Sequence, residues 1–322
     1  MGYGRYSQQA HEAITRPRSQ TPRAQVFRQQ RCHPLMNPKG VHLRECRDSE
    51  SHPASLGIIF AMDVSGSMGE IPHRMATDTL PRFMGATERA RIRDAQLMFM
   101  AVGHAGGDEA ALQVGQFEST ASLIDRWLTS MYLEGGGGTG NESYELAMYF
   151  VARHVALDSV SQRGQRGFMF ITGDAPPNPA VSHAQVHQLI GDELAADIPI
   201  RQLLTELQQL VEPFFLIPDP EVALSIERSW RDLLGDRVVV MGHPDDTADV
   251  AAGLIALLQG TASSLDDLIR RHIEAGMPHE QAARIGRALL GFASSIGRDN
   301  APEVSNGAVT LPVHDAPSGL LR

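Results

Sequence analysis

The fold of this 322-residue chain is decided by the segment Leu56-Gly57-Ile58-Ile59-Phe60-Ala61-Met62-Asp63-Val64-Ser65-Gly66-Ser67. Its first seven residues form a continuous apolar run. Such a run is typical of a β-strand that is buried on both faces of a parallel sheet. Polar residues begin at Asp63, so the strand is expected to end there. We therefore predict an α/β fold built outward from this strand.

Five further apolar segments are strand candidates, and helical segments separate most of them. The other predicted strands span residues 96–102, 113–117, 167–172, 213–217 and 237–241. The predicted helices span roughly residues 71–84, 121–132, 141–157, 182–195, 200–210, 222–234 and 246–259. This alternation predicts a doubly wound, mostly parallel six-stranded sheet with helices on both faces. The short gap between the second and third strands allows a hairpin, so one edge strand is expected to be antiparallel.

Composition divides the chain into four predicted parts. They are an irregular basic arm (1–54), the α/β domain (55–260), a helical hairpin extension (261–297) and a loosely ordered tail (298–322). The hairpin is predicted from helical segments at about 263–275 and 279–295, separated by Gly276-Met277-Pro278. The tail is rich in Gly, Pro, Asn and Asp, which disfavour a packed terminus.

Charge is distributed unevenly between the arm and the rest of the chain. Residues 1–54 carry nine Lys/Arg and four Asp/Glu, whereas the remainder carries 19 Lys/Arg and 34 Asp/Glu. An acidic body disfavours nucleic-acid binding, because neutralising phosphates requires clustered cations. The basic arm is expected either to lie on this body or to contact an acidic partner. An RNA-associated function of the arm is a weaker alternative.

The sequence predicts a cytoplasmic protein. No apolar run approaches the roughly 20 residues needed to span a bilayer, and the first 30 residues lack the apolar core of a signal peptide. The chain has two cysteines, Cys32 and Cys46, which agrees with a reducing compartment. These cysteines and the nearby histidines of the arm match no standard zinc-finger spacing.

Chemistry-bearing residues follow three of the predicted strands and loops. Asp63, Ser65 and Ser67 come directly after the first strand, and Asp174 lies just past the strand at 167–172. Thr139 follows a run of four glycines, Gly135 to Gly138, before the next predicted helix. Because ligands bind at the carboxyl ends of strands in open α/β sheets, these three loops are expected to converge at one edge.

The residue types at this edge predict a site for a hard divalent cation. Carboxylate and hydroxyl oxygens suit Mg²⁺, with Mn²⁺ or Ca²⁺ as alternatives. We expect Ser65, Ser67 and Thr139 to bind the ion directly, and Asp63 and Asp174 to hold it through water. A first shell of neutral hydroxyls leaves most of the ionic charge uncompensated. The ion would therefore accept a carboxylate from another molecule.

This pattern resembles the metal-ion-dependent adhesion site of von Willebrand factor A domains, in the form found in bacterial or phage intracellular proteins. The resemblance covers about residues 56–260 and rests on Asp63-Val64-Ser65-Gly66-Ser67, Thr139 and Asp174. It implies a sheet of order 3-2-1-4-5-6 whose third strand is antiparallel. It also implies that Asp63, Ser65, Ser67, Thr139 and Asp174 are the metal-site residues. The arm and the hairpin lie outside the resemblance.

The chain lacks residues that several enzyme classes require. A haloacid-dehalogenase-like phosphatase needs a second Asp where Ser65 stands and a later Lys, but Lys39 is the only lysine of the chain. A P-loop needs Gly-Lys-Ser/Thr, and that sequence is absent. A serine hydrolase needs Gly-x-Ser-x-Gly, and Ser65 stands where the first Gly of such a motif around Ser67 would be. The chain is therefore predicted not to be an enzyme.

Two neighbouring features have more than one interpretation. The glycine run is either a flexible surface loop or a hinge that moves Thr139 toward the metal. Glu142, at the start of the next helix, is either a helix-capping acid or a contact at the rim of the site.

The preferred hypothesis is an adaptor module that binds a partner's Asp or Glu on Mg²⁺. The resemblance suggests a MoxR-type AAA+ ATPase, or a kinase and phosphatase set, as partners. The alternative from another class is a Mg²⁺-dependent enzyme acting on phosphate esters, for which Asp63 and Asp174 are the available general bases.

Overall fold

Six strands form the main sheet of the computed structural model, which describes residues 4–16, 22–79, 82–136 and 141–299. In chain order the strands are β1 (Arg44–Cys46), β2 (Leu56–Asp63), β3 (Ala95–Val102), β4 (Leu112–Val114), β5 (Val155–Leu157), β6 (Gly167–Thr172), β7 (Ala180–Val181), β8 (Ile198–Pro199), β9 (Val211–Ile217) and β10 (Val238–Val240). The main sheet has the order β4-β3-β2-β6-β9-β10. Strands β1 and β5 form a small parallel pair, and β7 and β8 form an antiparallel one.

Helices connect and cover these strands. In chain order they are α1 (Gln8–Thr15), α2 (Arg23–Val26), α3 (Ile71–Arg74), α4 (Phe83–Arg89), α5 (Ala121–Thr129), α6 (Tyr144–His154), α7 (Asp158–Arg163), α8 (His183–Leu189), α9 (Ile200–Leu207), α10 (Pro220–Leu234), α11 (Thr247–Leu258), α12 (Leu265–Glu274) and α13 (His279–Asp299). Short 3₁₀ helices span Pro34–Met36, Gly66–Met68, Gly235–Arg237 and Pro244–Asp246, and a π-helical segment spans Met75–Thr79. Among the described residues, no helix combines the length and hydropathy required to cross a bilayer.

Strand β2 lies at the centre of the sheet because every one of its side chains is apolar or buried. All eight of its residues are buried, and the strand pairs in parallel with β3 on one side and β6 on the other. Successive side chains of a strand point to opposite faces. Accordingly Phe60 joins the core beneath one layer of helices, and Ile59 joins the core beneath the other.

The predicted fold class is confirmed at this level. The chain has an α/β fold with a mostly parallel six-stranded sheet, and helices pack on both faces. Strands β3 and β4 form the antiparallel pair, which places the antiparallel strand at an edge as expected. All five predicted strands beyond β2 overlap an observed strand of this sheet.

The predicted helix at 71–84 differs from the observed structure. The chain forms α3, then the π-helical segment, and then α4 from Phe83 onward, with residues 80–81 outside the described ones. The sequence at this point disfavours a continuous helix, because proline lacks an amide proton and restricts the residue before it, and position 81 is a proline.

The amino-terminal segment contains ordered elements that its lack of periodicity did not predict. Residues 22–54 include α2 and β1, and Phe27, Met36 and Cys46 are buried in the two cores. Asp158 fastens this segment to the body, because its carboxylate accepts hydrogen bonds from Arg47 Nη1 at 2.7 Å and from the amide of Asp48 at 2.9 Å. The described part of the arm therefore lies on its own acidic body.

Helices α12 and α13 form the predicted hairpin and pack against α11. The side chain of Asp246, only 1% exposed, accepts hydrogen bonds from Arg284 Nε at 2.9 Å and from Gln281 Nε2 at 3.2 Å. An ion pair therefore links α13 to the start of α11. The boundaries proposed for the four parts of the chain stay predictions, and most of the proposed tail, residues 300–322, lies outside the described residues.

Replacing Arg284 with Met is expected to destabilise the protein by about 1–2 kcal/mol, because the buried Asp246 carboxylate loses charge-assisted hydrogen bonds. Urea denaturation measures this change. Arg287→Met is the matched control, since Arg287 is exposed on the same helix and forms no ion pair with the described residues. Equal midpoints for the two variants would contradict the prediction.

Candidate metal site

Asp63 and Asp174 meet at the carboxyl edge of the main sheet. Asp63 is the last residue of β2, and Asp174 follows β6 after the single residue Gly173. Because β2 and β6 are adjacent and parallel, both loops leave the sheet at the same edge.

Hydrogen bonds join four of the five predicted metal-site residues. Asp63 Oδ1 accepts from the amide of Ser65 at 2.8 Å. The hydroxyl oxygens of Ser65 and Ser67 lie 3.1 Å apart. Ser67 Oγ donates to Asp174 Oδ1 at 3.0 Å. The fifth residue, Thr139, lies outside the described residues.

Exposure changes from the interior of the site to its rim. Asp63 and Ser65 are buried, at 0% and 2% exposure, whereas Ser67 is exposed and Asp174 is partly buried. A cleft of about 590 Å³ opens at this rim, and its walls include Ser67, Asp174 and Ser225. The site therefore has a buried acidic floor, and its rim is accessible to another molecule.

Tyr144 contacts Asp63 on the buried side of the site, and the sequence did not indicate this role. Its hydroxyl donates to Asp63 Oδ2 at 2.5 Å and accepts from the amide of Ala175 at 3.3 Å. Its ring is fully enclosed and packs edge-on against Phe215 and Trp230, at centroid distances of 5.4 and 5.7 Å. Trp230 in turn donates from Nε1 to the carbonyl of Ala175 at 2.9 Å. This aromatic cluster holds both acidic loops in place.

Backbone approach between two loops requires glycine at Gly66. The amide of Gly66 donates to the carbonyl of Gly136, and a Cβ on Gly66 would lie 2.8 Å from the carbonyl oxygen of Gly135. Gly136 is similarly close to the Asp108 carboxylate, at 2.3 Å from its Oδ1 if a Cβ were present. The first half of the glycine run is thus packed against the metal-site loop, and residues 137–140 lie outside the described ones.

Glu142 is a third carboxylate in the site. One oxygen each from Asp63, Glu142 and Asp174 lies within 4.8 Å of the others, and Glu142 is only 5% exposed. This position is closer to a contact at the rim of the site than to a helix-capping role, the two interpretations that the sequence allowed for Glu142. Its location follows from the path of the chain before α6, which has no signature in the local sequence.

Burial raises the pKa of all three acids, and repulsion from a neighbouring acid adds to the shift for Asp63 and Glu142. Burial raises the pKa of Asp63 to about 7, against the opposing effect of the hydrogen bonds from Ser65 and Tyr144. Burial and, secondarily, the charge of Asp174 raise the pKa of Glu142, and burial raises the pKa of Asp174. Among the described residues, none of the three forms an ion pair with Arg, Lys or His. The three acids are therefore not neutralised by a side-chain ion pair within the part of the chain that the structure describes.

The donor set fits a hard divalent cation. Among the described residues, three carboxylates and two hydroxyls converge with no thiolate or imidazole in the group, which is the chemistry preferred by Mg²⁺, Mn²⁺ and Ca²⁺. Such an ion would neutralise buried negative charge and would bind an anionic ligand at the accessible rim.

Comparisons with known proteins give no family. No protein-family model matches the chain, and no curated protein matches its sequence. Among solved structures, the pilus adhesin SpaC from Lactobacillus rhamnosus GG aligns with 69% of this chain and 31% of its own, at 11% identity and a TM-score of 0.43. Proximal thread matrix protein 1 from the mussel byssus aligns with 64% of this chain and 48% of its own, at 11% identity and a TM-score of 0.39.

This chain thus spans between about a third and a half of the length of these structures. The similarities are too low to support an argument about the site.

Proposed function

We propose that this chain is a metal-dependent protein-interaction module that captures an Asp or Glu side chain of a partner. Mg²⁺, or Mn²⁺ or Ca²⁺ in its place, would be held by Ser65, Ser67 and Thr139, with Asp63 and Asp174 oriented toward it. One observation carries the proposal: buried Asp63, the two serines and half-buried Asp174 converge at the sheet edge, and none of the described residues forms an ion pair with either acid.

The open rim favours ligand capture. Ser67 and Asp174 border a cleft, whereas Asp63 is fully enclosed beneath them. A metal supported in this way has its protein ligands on one side and a free direction on the other. Since the neutral hydroxyls compensate little of its charge, the ligand that it attracts most strongly is a carboxylate.

We also propose membership of the von Willebrand factor A domain family, in its intracellular bacterial or phage form. The Asp63-Val64-Ser65-Gly66-Ser67 motif after a central buried strand supports this assignment. The family's strand order, 3-2-1-4-5-6, is proposed with it, and the pairing of β2 with both β3 and β6 supports that order. A cytoplasmic location is proposed because Cys32 and Cys46 are both free thiols.

Suitable partners are an AAA+ ATPase of the MoxR type or a kinase and phosphatase set, as the family resemblance suggests. The chemistry of the site sets a more specific requirement for the partner than either protein class does. The partner must present a carboxylate on a protruding segment that reaches the cleft beside Ser67. The acidic body of this chain favours a partner whose remaining contact surface is neutral or basic.

The proposal is tested by partner capture in Mg²⁺ or in EDTA. We expect a partner to bind wild type in Mg²⁺, and to lose at least about 30-fold in affinity in EDTA or with Asp63→Asn, as a lost buried charge contact implies. Asp236→Asn is the matched control. It makes the same charge change at a residue 58% exposed, two residues before the amino end of β10 and so at the opposite edge of the sheet.

Substituting the partner's own Asp and Glu residues then locates the carboxylate that binds the metal. Partner binding that is unaffected by EDTA and by Asp63→Asn would refute the proposal. Turnover of a phosphate ester that requires Mg²⁺ and is lost with Asp63→Asn would instead favour the enzymatic alternative.

A further inference from the structure

Glu142 and Glu145 begin the same stretch of chain but have different surroundings. Glu142 lies two residues before α6 and Glu145 is the second residue of that helix, and they are 5% and 2% exposed. Asn178 Nδ2 donates to Glu145 Oε2 at 3.0 Å, so the burial of Glu145 is compensated by a structural hydrogen bond.

The carboxylate of Glu142 has no comparable partner. Among the described residues it accepts only from its own backbone amide, and no other side chain or backbone group donates to it. Asn178 reaches the carbonyl oxygen of Glu142 instead, at 3.2 Å. A buried carboxylate with only this one hydrogen bond is poorly compensated, and binding a cation would compensate its charge.

The direction of the Glu142 side chain identifies that cation site. Its carboxylate oxygen lies within 4.8 Å of oxygens from both Asp63 and Asp174, and Glu142 also lines the cleft beside Ser67, so this residue borders both the acidic cluster and the cleft. Like charges at this distance disfavour one another, and one divalent ion would stabilise all three carboxylates together.

We propose that Glu142 is a resident ligand of the metal and occupies the coordination position that a partner carboxylate takes in the bound state. The inference rests on the proposed function of the same site. A partner must then displace Glu142, so Glu142 sets both the affinity for the metal and the threshold for partner binding. Glu142, which lines the cleft at the open rim, then fills one metal position until a partner carboxylate displaces it.

Bound Mn²⁺ reports this ligand directly, because it relaxes the protons of the water molecules in its first shell. We expect Glu142→Gln to weaken Mn²⁺ binding at least tenfold, on the order of the loss seen when groups around a metal are removed. The bound ion is also expected to gain about one exchangeable water in water-proton relaxation. Glu145→Gln is the matched control and is expected to change neither quantity, since Glu145 lies outside the cluster.

Acetate is the carboxylate probe for the displacement step. It is expected to remove water from bound Mn²⁺ at a lower concentration in Glu142→Gln than in wild type, because the competing side chain is gone. Glu142→Asp, which keeps the charge but shortens the side chain, is expected to show the same changes to a smaller extent. It also provides the test if the Gln variant does not fold.

Each outcome distinguishes this inference from the proposed function. Equal Mn²⁺ affinity and equal hydration in wild type and Glu142→Gln would overturn the inference and leave partner capture intact. Metal-independent partner binding, with the Glu142 effects present, would overturn partner capture and the displacement step, and would leave Glu142 as a resident ligand of the metal. Failure of wild type to bind Mn²⁺ would overturn both.

Discussion

Asp63→Asn is expected to stabilise the metal-free protein at pH 8 and to abolish its stabilisation by Mg²⁺. Asp63 is fully buried, and burial raises its pKa to about 7. At pH 8 the folded metal-free protein therefore contains a desolvated negative charge. Asparagine has nearly the same shape without that charge, and its side-chain oxygen can still accept the hydrogen bond that the Ser65 amide gives to Asp63 Oδ1.

The sign of the pH dependence follows from proton linkage. An aspartate in the unfolded chain titrates near about 3.9, so between there and about 7 the folded state holds more protons than the unfolded one. The contribution of Asp63 is thus most favourable at low pH, is lost as the pH rises through this window, and amounts to a penalty of about 4 kcal/mol by pH 8. Removing the charge is expected to recover about half, since the bond from Tyr144 is perturbed.

Thermal unfolding in EDTA and in saturating Mg²⁺ measures both effects. In EDTA at pH 8, the variant is expected to melt about 4–8 °C above wild type, as about 2 kcal/mol implies for a domain of this size. In Mg²⁺ the order is expected to reverse, because only wild type gains binding energy from the metal. Equal Mg²⁺-induced shifts for wild type and Asp63→Asn would show that the metal does not bind here. Asp236→Asn again provides the control.

Gly173→Ala is expected to destabilise the protein by about 3 kcal/mol and to weaken metal binding. A Cβ at this position would lie 2.2 Å from the Tyr144 hydroxyl and 2.6 Å from Cζ of the same ring. The Tyr144 ring has little room to move away from this Cβ, because it packs against Phe215 and Trp230. The backbone is also held, since the amide of Gly173 donates to the carbonyl of Leu216 at 3.3 Å. Overpacking of this kind is strongly destabilising.

Gly291→Ala is the matched control for this clash. Gly291 lies in α13, and a Cβ there would meet nothing within 4 Å. Alanine in an open helical position is expected to stabilise by about 0.5–1 kcal/mol. Urea denaturation and Mn²⁺ titration measure the two variants side by side. If Gly173→Ala matched Gly291→Ala in both assays, the contact between Gly173 and Tyr144 would not position the site.

The parts of the fold and site that were predicted depend on local sequence. The apolar run before Asp63 predicts a buried strand, because a short continuous apolar run that is followed by polar turn residues is typical of a strand buried on both faces. Ser65 and Ser67 are then placed by the turn itself, and Asp174 by the strand adjacent to it. Four of the metal-site residues come together for these reasons.

The parts that were not predicted depend on contacts between distant segments. Tyr144 lies on an almost entirely buried helix, and nothing in its neighbours indicates that its hydroxyl reaches Asp63, 81 positions earlier. In the sequence, Glu142 cannot be distinguished from any other acid near the start of a helix. Its position beside Asp63 and Asp174 depends on the path of the folded chain. The pairing of β1 with β5 was also missed, because three-residue strands carry too short a pattern to be recognised.

That pairing has a consequence for the order in which the chain is made and folded. Arg44 pairs with Val155, and Arg47 binds Asp158, 111 positions later. During synthesis, the amino-terminal segment leaves the ribosome well before the residues that hold it exist. Closing a loop of this length is slow compared with forming local helices. We therefore expect the segment that contains β1 to be secured later than the local helices, and its exposed apolar residues to require protection on the nascent chain until then.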